Sequence, residues 1–147
     1  MQYLTWKGDH FQMGVERGRL LKRHGVTFPL RLDRFQLEHG KRSEAILQDF
    51  FPEVCAEIRG VSDAIGADYA ALASWLLCMG CCMYNLKDNL PTEIRGCTAF
   101  AHSSGGRTLY GRNNDLPPFL KQAGKSELYL PAGTNRFCMT TSSFING

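Results

Sequence analysis

No apolar run in this chain approaches the ~18 residues that a membrane-spanning helix needs. The longest candidate, Ala70 to Met83, is broken by Ser74 and Gly80. The N-terminus lacks the apolar core of a signal peptide: Met1 is followed by Gln2, Tyr3 and Trp6, then by charged residues. No dense basic block with interleaved aromatics occurs. Lys22, Arg23, Arg31, Arg34, Lys41 and Arg42 are scattered, and a net charge of +3 is mild. Nucleic acid and membrane are therefore not expected partners. Internal repeats and low-complexity tracts are absent too. Without a leader, the default location is cytoplasmic, and the six cysteines read as free thiols rather than a disulfide framework.

What is present describes an ordinary globular chain. Its 147 residues favour one domain, with 44% hydrophobic and 21% charged residues. Residues 1–7 read as a short strand. Asp9 can cap a helix carrying Phe11, Val15, Leu20 and Leu21, which Gly25 stops. Val26 to His39 reads as a second helix, ended by Gly40. Ser43 can cap a third, through Phe51. Pro52 restarts the helical period of Val54, Ile58, Val61 and Ile65, and Gly66 ends it. Asp68 can cap an apolar, buried helix from Tyr69 to Met83, and Asn85 to Arg95 reads as an exposed linker.

The pattern then changes. Cys97 to His102 and Arg107 to Asn113 read as strands around Ser103-Ser104-Gly105-Gly106. Leu116-Pro117-Pro118 marks a loop. Glu127 to Leu130 and Phe137 to Phe144 read as two further strands, joined by Pro131 to Asn135. Helices first and strands afterwards predict an α+β fold.

Two cysteine motifs carry candidate chemistry. Cys78-Met79-Gly80-Cys81-Cys82 contains a CxxC. It has no second CxxC, and His10, His24, His39 and His102 are not at ligand spacing, so small residues packing a core helix explain it better than metal or redox function. Gly96-Cys97-Thr98 is different. It opens one strand, and Gly111-Arg112-Asn113-Asn114-Asp115 closes the next. A paired hairpin brings Arg112 near the thiol of Cys97, where a cation raises the thiolate fraction, and Asp115 can orient a proton-carrying group. The plainer alternative is a buried cysteine with a surface ion pair. Alternation puts His102 on the face opposite Cys97 and disfavours a Cys-His dyad.

These residues resemble the C45-type N-terminal-nucleophile (Ntn) hydrolases, the family of acyl-coenzyme A:6-aminopenicillanic acid acyltransferase and a distant relative of the choloylglycine hydrolases and penicillin V acylases. Residues 8–18, from Gly8-Asp9 to Arg17-Gly18, are similar to the family's glycine-spaced opening motif. Pro52-Glu53 and Glu57 to Gly66 resemble its helical pro-segment.

The resemblance implies an αββα sandwich. Residues 1–96 would be the helical pro-segment and 97–147 the start of the sheet core, together one domain. It implies self-cleavage between Gly96 and Cys97, which exposes an α-amine. With an unperturbed pKa of about 7.7–8.0, that amine can act as general base for its own thiol. Asp115 would hold the amine and Arg112 would lie near the sulfur, with Thr98 and Asn113 in secondary roles.

No cofactor and no metal are implied. The substrate would be a small acyl amide or an acyl-coenzyme A-like thioester. The family's proteins are longer, and their oxyanion-hole Asn and a further Arg would fall beyond residue 147. The chain is therefore expected to be an unprocessed, truncated form whose sheet edge invites self-association. The alternative is a non-catalytic α+β fragment or interaction module with unreactive cysteines.

Overall fold

A computed structural model describes residues 2–28, 30–78, 98–112 and 125–141. The fold is α+β: four helices, a three-stranded sheet and a two-stranded sheet among the described residues. In chain order these are β1 (Gln2–Gly8), α1 (His10–Arg23), α2 (Arg34–Phe50), α3 (Pro52–Ile65), α4 (Tyr69–Leu77), β2 (Ala99–Ser104), β3 (Arg107–Arg112), β4 (Lys125–Pro131) and β5 (Phe137–Thr141).

Local chemistry sets the helix starts. Asp9 accepts a hydrogen bond from Gln12 N at 2.8 Å, and Asp68 accepts one from Ala71 N at 2.8 Å. Pro52 occupies the first turn of α3, and Gly66 ends that helix in the left-handed conformation.

The second and third expected helices are corrected. Residues 26–28 and 30–33 are not helical, and one continuous helix, α2, runs from Arg34 to Phe50. Pro29 carries no amide hydrogen and disfavours helical dihedrals at Phe28. Val26, Phe28 and Leu30 instead pack on the helical core, with the Phe28 ring edge-on to Trp75 at 5.2 Å. Asp33, not Ser43, is the cap. It forms a reciprocal capping box with Gln36. Gly40 does not stop the helix. It is buried mid-helix where α2 crosses α4, and a Cβ there would lie 2.3 Å from Ser74 Cα.

The core has two parts. Leu21, Ile58, Val61, Leu72 and Ala73 fill the space among the helices. Trp6, Met13 and Tyr129 join the sheet to α1. The sheet order is β1-β4-β5, with β1 parallel to β4 and β4 antiparallel to β5. Trp6 pairs with Tyr129, and Leu4 with Glu127. The strand β4 is longer than expected at both ends, and it buries Glu127 and Tyr129 while Leu128 faces outward. Residues 142–144, the expected end of β5, lie outside the described residues.

Helices α1 and α3 meet at unusually close range. A Cβ on Gly14 would sit 2.1 Å from the Glu57 carbonyl oxygen, and one on Gly60 would sit 2.2 Å from the Phe11 carbonyl oxygen. The glycine spacing that carried the family resemblance thus has a packing role here. It lets two backbones touch and brings Arg17 of α1 to Glu57 of α3.

Candidate functional site

The hairpin is the first place to look for chemistry. Gly105 and Gly106 form a two-residue turn with φ of 58° and 74°, so β2 extends two residues closer to the tip than expected from the sequence, to Ser104, while β3 starts at Arg107 as expected. Positive φ at both central residues matches the right-handed strand twist, and glycine reaches it without Cβ strain. The register runs from Ser104↔Arg107 to Ala99↔Arg112, and the Ser103 and Thr108 hydroxyls bond at 2.9 Å. Position 112 is therefore held across from residue 99, two residues after Cys97 in the sequence. Thr98 immediately precedes β2. Gly96, Cys97, Asn113 and Asp115 lie outside the described residues, as do Met79 to Cys82 of the CxxC segment. Cys78 is buried. Phe100, Leu109 and Tyr110 are exposed along the hairpin.

A second constellation was not anticipated from the sequence. Arg17 is 1% exposed and Glu127 is fully buried. Arg17 Nη1 donates to Glu127 Oε1 at 3.2 Å, and Nη2 donates to the Tyr129 hydroxyl. Its Nε lies 3.1 Å from Glu57 Oε1. Trp6 Nε1 donates to Glu127 Oε1 at 3.0 Å, and Lys125 Nζ lies 3.3 Å from the same oxygen. The guanidinium also sits 4.7 Å above the Trp6 ring, a cation–π geometry. Two cations and two carboxylates therefore close the formal charge inside the fold.

The electrostatics follow from burial. Desolvation pushes the Glu57 carboxyl above the usual carboxylate range, opposed by Arg17 and then His10. Desolvation pulls the Lys125 ammonium below its ordinary value, opposed by Glu127. His10 Nδ1 stands 3.9 Å from Glu57 Oε2. Burial and the nearby Glu44 push the Cys55 thiol up, so that cysteine is a poor nucleophile at neutral pH.

One signal in the sequence marks this network. Met13, Arg17 and Leu21 recur at a four-residue spacing, which places a guanidinium on the core stripe of α1. A carboxylate had to meet it inside. Glu127 gave no such signal, because it stands on a strand between Ser126 and Leu128.

No family model matches the chain, and no curated protein matches it. Among the described residues, no helix is long and apolar enough to cross a membrane.

Proposed function

We propose that the chain is an autoprocessing cysteine amidohydrolase or acyltransferase of the N-terminal-nucleophile class, built as part of an αββα sandwich. The observation that supports this reading is the β2–β3 register, in which Ala99 pairs with Arg112. That pairing is what a site assembled from the Gly96-Cys97 junction and the Arg112–Asp115 segment would need.

The chemistry proceeds in two stages. The Cys97 thiol attacks the Gly96 carbonyl carbon, the peptide C–N bond breaks, and the departing amine takes up a proton. Water then hydrolyses the Gly96 thioester, releasing the Gly96 carboxylate and the thiol. The freed α-amine next accepts the thiol proton, and the sulfur attacks the substrate acyl carbon. The leaving amine or thiol takes the proton away, and water or an amine accepts the acyl group from Cys97. Arg112 raises the thiolate fraction, and Asp115 holds the α-ammonium.

The reading is tested by intact-mass measurement of the purified chain and its Cys97→Ala variant, with peptide-mapped alkylation rates. Cleavage between Gly96 and Cys97 that the variant abolishes supports it. Buried Cys55, with its suppressed ionisation, sets the baseline for an inert thiol. An uncleaved chain whose Cys97 alkylates no faster than Cys55 overturns the reading in favour of a non-catalytic α+β module.

A further inference from the structure

A cleft of about 340 Å³ opens between α1, α3 and the turn joining β4 to β5. That volume is at the small end of ligand sites. Its apolar side is formed by Ile58, Tyr129 and Phe137, and its polar side by His10, Glu53 and Glu57. The Phe137 ring stacks on Tyr129 at 4.5 Å with the planes 8° apart, and Phe137 remains 46% exposed.

The polar side offers acceptors and negative charge. Glu53 and Glu57 stand one turn apart on α3, where like charges repel. Glu57 Oε1 is engaged by Arg17 and Tyr129. Glu57 Oε2 lies 3.9 Å from His10 Nδ1, beyond hydrogen-bond length. His10 Nε2 is buried and has no hydrogen-bond partner among the described residues. The cations nearby do not serve an anionic ligand: Arg17 is enclosed against Glu57 and Glu127, and Lys125 is paired with Glu127. The first turn of α3 would favour an anion, but Glu53 already occupies that turn.

We propose that this cleft binds a small organic ammonium ion with an aromatic or apolar body. The ammonium sits between the Glu53 and Glu57 carboxylates, and the body lies on the exposed part of Phe137. The proposal does not depend on the chemistry assigned to Cys97, so either can fail alone.

The test is a titration of the full chain, followed by calorimetry and backbone amide shifts at constant ionic strength. The probes are 2-phenylethylammonium and 3-phenylpropionate, which share a body and differ in charge. The ammonium is expected to bind about tenfold more tightly, the scale of one charge-assisted hydrogen bond. Its shifts are expected at His10, Glu57, Asn135 and Phe137. Glu53→Gln and Phe137→Ala, with melting curves like the parent's, are each expected to weaken it several-fold. Equal affinity for the two probes overturns the proposal, and so do ammonium shifts confined to other residues, which need no variant to observe. Full affinity in both folded variants also overturns it.

Discussion

Replacing Gly14 by Ala adds one methyl group at the α1–α3 crossing, and the structure fixes what it meets. The new Cβ would lie 2.1 Å from the Glu57 carbonyl oxygen, 2.8 Å from its carbonyl carbon and 3.0 Å from its Cα. These are backbone atoms, so no rotamer change can relieve the overlap. The helices must separate by about 1 Å to restore ordinary van der Waals distance. Overpacking of this kind costs about 1–3 kcal/mol. Alanine returns about 1 kcal/mol through its better helix propensity. The separation also stretches the 3.1 Å Arg17–Glu57 pair, which lies at the same crossing. Disrupting a buried pair adds a cost of its own, up to about 3 kcal/mol if the carboxylate is left unpaired. Because the overlap is with main chain, the upper end of that overpacking range applies, and the net loss is expected at about 2–5 kcal/mol, or a fall of about 4–20 °C in Tm for a chain of this size. Urea denaturation with a constant m-value measures it. A Gly14→Ala chain as stable as the parent, or more stable by the propensity term alone, refutes the close crossing. No single side-chain truncation on α3 is expected to rescue the variant, because the obstruction is main chain.

Two further predictions concern the buried network. Arg17→Met leaves Glu127 buried without its guanidinium and is expected to cost about 3–5 kcal/mol by urea denaturation, with partial recovery when Glu127→Gln is added. A loss under 1 kcal/mol would show that the pair is not enclosed as described. Glu57 supplies the pH dependence. Burial raises its carboxyl in the folded chain, so the folded state keeps a proton that the unfolded chain has released above about pH 4.3. Its contribution is complete below that value and is lost as pH rises through the raised folded value. The difference in unfolding free energy between the parent and Glu57→Gln is therefore expected to fall with rising pH across that window. A difference that rises would mean that Arg17, not desolvation, dominates.

The legible parts of the sequence were those governed by short-range chemistry. Asp9 and Asp68 cap helices because a carboxylate two or three residues before free amides has an immediate partner. Pro52 and Gly66 bound α3 for equally local reasons. The misreadings came where a residue answers to a distant neighbour. Gly40 looks like a stop signal on its own, yet it is required by the Ser74 backbone that crosses it. Ser43 looks like a cap, but Asp33 with Gln36 makes the better one ten residues earlier. The hairpin was visible from its glycines, although the turn is two residues rather than four. The buried network drew its members from β1, α1, α3 and β4, and only Arg17 stood out of pattern in its own helix.

That network also explains why β4 faces as it does. Alternation in Lys125–Pro131 offers Leu128 and Leu130 as the apolar set, yet Glu127 and Tyr129 are the residues buried. Slipping β4 by one residue against β1 would exchange the faces. Fully burying Leu128 would gain at most about 1.5–3 kcal/mol, and less here because it is only 39% exposed. The same slip would strip Arg17 of Glu127 and Tyr129 while Glu57 of α3 stays beside its Nε, and breaking a buried pair by removing one partner costs about 3–5 kcal/mol. The charge term is the larger, so the ion network holds a register that hydrophobic patterning alone would contest. Buried ion pairs replaced wholesale by apolar groups often lose no stability. The combined variant Arg17→Met, Glu57→Leu, Lys125→Met, Glu127→Leu is therefore expected to unfold near the parent's midpoint but to populate more than one β1–β4 register. Doubled backbone amide signals over residues 125–131 would reveal it. A single set of signals with the parent's cross-strand contacts from Trp6 to Tyr129 would show that the turn and the rest of the core fix the register without the charges.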